Sequence, residues 1–190
     1  VALYFGVDPS VVMQQVARQL KAAGTEVDWL DFLDEPLPLF NPDSSRAAET
    51  FARLQTRVET ADVDLLGTPD YHGSISSAMK NFLEHFWHEF AGKLFATIVA
   101  SHEKGLTVTD QLRTVARQCY AWSLPYGVAF ADQTDVQDQR VVSEALEKRL
   151  RMLAHDVQTY GALLARQRRA DLAGADPGFL AKWRRSGGME

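Results

Sequence analysis

Cysteine is nearly missing from this chain: Cys119 is the single one among 190 residues. No internal disulfide is therefore available, and a reducing, cytoplasmic compartment is expected. No apolar run approaches the roughly 20 residues needed to cross a bilayer. No basic segment followed by a long apolar one marks a secretion signal. The first residue is Val1 rather than methionine, so the natural start is expected upstream. A basic excess is also lacking. Twenty Lys and Arg stand against twenty-five Asp and Glu, a formal charge of −5, which argues against non-specific nucleic-acid binding. Among short motifs there is no P-loop, no G-x-S-x-G elbow and no zinc pattern.

What is present is a regular alternation. Short apolar runs alternate with longer segments of helical period, as in a parallel sheet with helices on both faces. Val1 to Phe5 is wholly apolar and stops at Gly6, as a strand buried on both sides would. Ser10 starts a helix carrying Val12, Val16 and Leu20 and ending at Gly24. Val27, Trp29, Leu30 and Phe32 supply a second strand, and Pro36 to Pro42 reads as an extended loop. A helix from Ser44 or Ser45 follows, with Phe51, Leu54 and Val58 facing inward. Ala61 to Thr68 is the third strand and Ile75 to about Trp87 a helix. Lys93 to Ala100 is the fourth strand, Asp110 to Trp122 a helix, Tyr126 to Phe130 the fifth strand, and Asp138 to about Gln167 a long final helix.

The expectation is an α/β fold, a three-layer α/β/α sandwich over residues 1–170. The tail, 171–190, holds Phe179, Leu180 and Trp183 and is expected to pack on the domain or on a partner subunit. In open parallel sheets ligands bind outside the carboxyl ends of the strands, where strand order reverses. The loop after the third strand is the informative one there. It reads Thr68-Pro69-Asp70-Tyr71-His72-Gly73-Ser74-Ile75-Ser76-Ser77-Ala78-Met79-Lys80-Asn81. Pro69 fixes the backbone as it leaves the strand, and Gly73 lets the main chain approach a planar ligand. Ser74 reads as a helix cap whose neighbouring amides point into the site, and Tyr71 offers an aromatic surface. The alternative for the tripeptide Tyr71-His72-Gly73 alone is an ordinary strand-to-helix turn.

This stretch resembles the NAD(P)H-dependent FMN reductase family, whose motif runs T-P-x-Y-x-G-S, an apolar residue, and later L-K-N. Thr68, Pro69, Tyr71, Gly73, Ser74, Ile75, Lys80 and Asn81 match it. Met79 replaces leucine, and His72 stands where asparagine is common. The resemblance implies a flavodoxin-like five-stranded parallel sheet of order 2-1-3-4-5, with FMN as cofactor and NAD(P)H as hydride donor. It implies a flavin or quinone acceptor, no catalytic acid or base, and a homodimer or homotetramer. It places the isoalloxazine against Thr68, Pro69, Asp70, Tyr71, His72, Gly73 and Ser74. The loop after the fourth strand, with Ser101, His102 and Gly105, would lie across the cleft. Only Gly105 remains there of a usually glycine-rich loop. Lys104 would favour an anionic reduced flavin or a nucleotide phosphate, or is simply a solvated tip.

The first loop departs from the family. Gly6-Val7-Asp8-Pro9-Ser10 replaces a phosphate cradle that normally carries serines, an arginine and an asparagine. Either a phosphate loop is missing between Gly6 and Val7, or the protein has lost the site. Three readings therefore stand: a reductase, an FMN electron carrier without NAD(P)H activity, and a non-enzymatic flavodoxin-like module. Elsewhere, His85 and His88 sit one helical turn apart without an evident third metal ligand. The aromatics Phe82, Phe86, Trp87 and Phe90 exceed what one helix face hides and suggest a subunit interface.

Overall fold

Packing on both faces of one parallel sheet organises the chain, as seen in a computed structural model that describes residues 1–5, 9–47 and 49–183. Strand β1 (Ala2–Phe5) leads to helix α1 (Ser10–Ala22) and strand β2 (Asp28–Asp31). A single 3-10 turn at Ser45–Ala47 precedes α2 (Glu49–Thr60). Then come β3 (Val63–Tyr71), a two-residue β4 (Ser74–Ile75), α3 (Ser77–His85) and β5 (Leu94–Ala100). Helix α4 (Leu106–Gln118) is followed by β6 (Trp122–Ser123) and β7 (Val128–Phe130). A short α5 (Asp132–Asp135), the strands β8 (Val136–Gln137) and β9 (Arg140–Val141), and α6 (Glu144–Ala173) come next, and a 3-10 helix at Phe179–Trp183 ends the order.

The parallel order is β2-β1-β3-β5, with both β6 and β7 paired to the outer edge of β5. This is the expected flavodoxin-like order 2-1-3-4-5, with one difference at the fifth position. There the strand expected over Tyr126 to Phe130 is two short pieces. Trp122, placed at a helix end by its apolar neighbours, instead pairs with Leu94. The final helix also starts later than Asp138. Asp138 and Gln139 both have positive φ, 47° and 58°, and turn a small hairpin between Gln137 and Arg140. Ser143 then caps α6 by accepting the Leu146 amide at 3.2 Å.

Alternation along the strands sends side chains to two cores. Leu3, Val63, Leu65, Ala96 and Ile98 meet α1 and α6 on one face. Ala2, Tyr4, Leu66 and Phe95 meet α2, α3 and α4 on the other. The aromatics that suggested an interface fill this second core. Helix α3 stops at His85 because Phe86 adopts an extended conformation (φ −129°, ψ 149°). The chain thereby turns Phe82, Phe86 and Phe90 inward, and only Trp87 of the four is half exposed. His85 is buried too, its Nδ1 2.8 Å from the Asn81 carbonyl and its ring stacked on Phe51. In the tail, Leu180 is buried against Gly92, and the Lys182 ammonium lies 3.7 Å from the Tyr120 ring centroid. No described helix is long and apolar enough to cross a membrane.

One polar group in the second core is costly. Asp64 is fully buried in β3, and neither carboxylate oxygen has a hydrogen-bond partner. Lys93, almost fully buried, donates its ammonium to the Val58 and Glu59 carbonyls at the carboxyl end of α2. There it meets both orphan carbonyls and the negative end of the helix dipole. Burial pushes the Asp64 carboxyl up to about 6, against a partial pull down from Lys93. The folded chain therefore holds a proton that the unfolded chain releases. That contribution is complete below the ordinary carboxyl range and is lost as pH rises through about 6. Relative to Asp64→Asn, the parent should lose about 2–3 kcal/mol of stability between pH 4 and pH 7. Equilibrium urea unfolding across that range measures it; parallel pH profiles for the two proteins would contradict the burial argument.

Candidate functional site

The site is built where β3 runs past the carboxyl edge of the sheet. The strand continues to Tyr71, reverses through His72 and Gly73, and returns as β4, with Asp70 opposite Ile75 and Tyr71 opposite Ser74. Both turn residues have positive φ, 57° at His72 and 74° at Gly73, the geometry of a tight two-residue hairpin turn. Glycine takes this conformation freely, and histidine is among the few side chains that tolerate it. A Cβ added at Gly73 would meet nothing within 4 Å, so open space lies against the backbone there.

The Asp70 carboxylate fixes this turn. One oxygen accepts the Gly73 amide at 2.8 Å, and the other accepts the Ser101 hydroxyl at 2.9 Å. Ser101 begins the loop after β5, its amide donating to Phe130 at 2.8 Å and its hydroxyl accepting the Glu103 amide at 3.2 Å. Gly105 closes that loop with φ +60° as the residue before α4. A Cβ there would come within 3.0 Å of Val99, so this glycine has a packing reason as well as a conformational one.

Two adjoining clefts flank Asp70. The larger, about 910 Å³, is lined by Asp70, Gly73, the loop residues Ser101 to Gly105, and Leu106 and Thr107 of α4. The smaller, about 260 Å³, is lined by Pro69, Asp70, Tyr71, His72, Ser101 and His102. Asp132 also lines a third space of about 340 Å³ beside Ser10 and Val11, at the start of α1. Eight of the ten residues singled out in the sequence thus line these two clefts, which share Asp70, Ser101 and His102 and are together called the trough.

Thr68 and Ser74 stand outside it. Thr68 is fully buried, and its hydroxyl accepts the Ser76 amide at 3.0 Å. Ser74 lies in β4 rather than at the helix cap. The cap of α3 is Ser76, whose hydroxyl accepts the Met79 amide at 3.2 Å. Ser74 turns away from the trough toward Gln111 of α4, which the sequence reading missed. Gln111 Oε1 accepts the Ile75 amide at 3.0 Å and the Ser74 hydroxyl at 3.2 Å, and its Nε2 donates to the Gly73 carbonyl at 3.4 Å. The last motif residues are structural. Lys80 pairs with Glu84, and Asn81 holds the proline-rich loop by accepting the Phe40 amide at 2.8 Å and donating to the Pro38 carbonyl at 3.0 Å.

A planar heteroaromatic ring fits this trough: backbone without a side chain at Gly73, an aromatic residue at Tyr71, and polar groups along both walls. Gly6, Val7 and Asp8, which replace the family's phosphate cradle, lie outside the described residues, as do Arg184 and Arg185. A separate cavity of about 580 Å³ lies at the opposite edge of the sheet, beside Asp28, Arg57, Val63 and Gln158. Its guanidinium is already engaged by Asp28, Glu35 and the Trp29 carbonyl. Among the described residues no group of three or more His, Cys, Asp and Glu is placed to hold a metal ion.

Sheet order and trough define a flavodoxin-like protein with its ligand edge at the carboxyl ends of β1, β3 and β5. The comparisons go further. The family model described as NADPH-dependent FMN reductase matches residues 10–135. An NADPH azoreductase of Bacillus sp. (strain OY1-2) is 31% identical over 151 residues, 77% of this chain and 79% of that one. An NADH-dependent FMN reductase, SfnE, of Pseudomonas putida is 33% identical over 128 residues, 65% of this chain and 67% of its own length. Among solved structures, the flavoenzyme NAD(P)H:(acceptor) oxidoreductase FerB from Paracoccus denitrificans superposes with a TM-score of 0.62 at 16% identity. It covers 87% of this chain and 97% of FerB. The chain belongs to the NADPH-dependent FMN reductase family.

The Thr68 hydroxyl can be tested alone. Thr68→Val keeps the shape but leaves the buried Ser76 amide without its acceptor, at an expected cost of about 1–3 kcal/mol in urea unfolding. An unchanged midpoint and slope would contradict this assignment.

Proposed function

We propose that this chain is an NAD(P)H-dependent oxidoreductase of the FMN reductase type, with the flavin ring held in the trough between the β3–β4 turn and the loop after β5. The observation that carries the reading is the open space against the Gly73 backbone at the carboxyl edge of a flavodoxin-like sheet. Bound FMN would supply hydride acceptance from a nicotinamide and onward electron delivery to a flavin, quinone or azo acceptor.

The chain's own part is binding and placement. Pro69, Asp70, Tyr71, His72 and Gly73 form one wall, and Ser101, His102 and Gly105 the other. Asp70 holds the two walls at a fixed separation, so the ring site is formed before a ligand arrives. Thr68 and Ser74 support the wall from behind. No side chain is assigned as acid or base, since the cofactor carries the chemistry and the protein supplies orientation and electrostatics. Lys104, which lines the larger cleft, would attract a nucleotide phosphate.

A homo-oligomer and a cytoplasmic setting belong to the same proposal. The first is supported by Leu106, which is 66% exposed beside a groove of about 870 Å³ between α3 and α4. The second draws on Cys119, a buried thiol that burial pushes up to about 11 and that therefore packs as a small hydrophobe.

The purified protein should take up FMN and oxidise NADH or NADPH with an added flavin, quinone or azo acceptor. In Gly73→Leu the side chain enters the open space. Flavin uptake should fall at least about tenfold, whereas folding should lose only the roughly 1–2 kcal/mol of a side chain at positive φ. Equal flavin affinity in the two proteins would overturn the placement. Flavin uptake without nicotinamide oxidation would leave an electron carrier instead.

A further inference from the structure

Asp70 fixes the hairpin turn at one wall of the trough, and a second side chain, Gln111, holds the return strand behind that wall. It lies in the second turn of α4, far in sequence from the hairpin, yet it meets Gly73, Ser74 and Ile75 in succession. The two hydrogen bonds accepted by its carbonyl oxygen fix the side-chain amide orientation, which leaves the NH₂ group toward the Gly73 carbonyl. A strand of only two residues has too little pairing to set its own position. Asp70 clamps the turn from the cleft side and Gln111 clamps the return strand from the opposite side.

The same helix begins at Gly105, where the facing wall of the trough ends. The geometry points to Gln111 as a positioning residue that couples α4 to the β3–β4 hairpin, so that both walls of the flavin trough keep one spacing. This inference rests on the flavin reading above for its consequence in binding, but not for the latch itself. Gln111 also lines the outer groove together with Ser74, Ile75 and Leu106. It thus touches Ser74 and Ile75 in that groove and the Gly73 carbonyl of the trough wall.

The test uses the full chain, with Gln111→Ala, Gln111→Glu and a control, Thr114→Ala. Thr114 lines the same groove one turn on, but its hydroxyl bonds only within the helix, to the Asp110 carbonyl. The first readout is amide hydrogen exchange of the flavin-free protein. In Gln111→Ala the Ile75 amide should exchange about tenfold faster or more, as a lost local hydrogen bond implies. In Gln111→Glu the carboxylate still accepts from Ile75 and Ser74 but cannot donate to the Gly73 carbonyl, so protection at Ile75 should lie nearer the parent than in Gln111→Ala, and the control should match the parent. The second readout is FMN dissociation constant and flavin midpoint potential after reconstitution. Gln111→Ala should weaken FMN binding about tenfold and shift the potential, with Gln111→Glu restoring affinity to within about threefold.

Unchanged exchange at Ile75 in Gln111→Ala overturns the latch whether or not flavin binds. Faster exchange with unchanged FMN affinity and potential overturns the positioning role. A parent protein that takes up no FMN, despite the exchange difference, contradicts the functional reading and the positioning role with it, while the latch stands.

Discussion

The carboxylate of Asp70 is the contact on which the ligand edge depends. It accepts the Gly73 amide from the hairpin turn and the Ser101 hydroxyl from the loop after β5, at 2.8 and 2.9 Å. Hydrogen bonds to an ionised acceptor are stronger than neutral ones, so one side chain joins two loops that the sheet merely brings near each other. The joined loops define a trough in which backbone, rather than bulky side chains, faces the ligand. Such a site suits chemistry that belongs to the ligand itself, and no acid-base pair is needed from the protein.

The two edges of the sheet divide the work. At the amino edge of β3 and β5 lie the buried Asp64 and Lys93, with Lys93 closing the carboxyl end of α2. The same edge carries the Arg57 network with Asp28 and Glu35. At the carboxyl edge the polar groups line open space. Fixed charges thus tie helices to strands at one end, and the other end is left to ligands, as parallel sheets generally arrange.

Much of this was legible in the sequence. A run such as Leu94 to Ala100, apolar but for Thr97, reads as a central strand, and Gly24 marks a helix end that the structure realises with positive φ. The run from Pro69 to Gly73 lies at the carboxyl edge of the sheet, where the loop after the third strand is expected. What escaped was long-range. Gln111 carries no local signal, because its partners lie some forty residues earlier, and placing the start of α4 at Asp110 hid its second-turn position. Ser74 reads in the sequence as the cap of α3; pairing of Ser74 with Tyr71 in the hairpin leaves that place to Ser76. The aromatic helix was misjudged because its end at Phe86, which turns three rings inward, depends on the core it enters. The family match, which begins at residue 10, starts just beyond the first loop, where the departure from the motif was noted.

The most direct measurement of the flavin site is an amide-resolved titration of the isotopically labelled full chain with FMN. Changes concentrated at Asp70 to Ser74 and Ser101 to Gly105 are predicted. No change at saturating FMN, or changes centred on the opposite edge around Arg57 and Gln158, would contradict it.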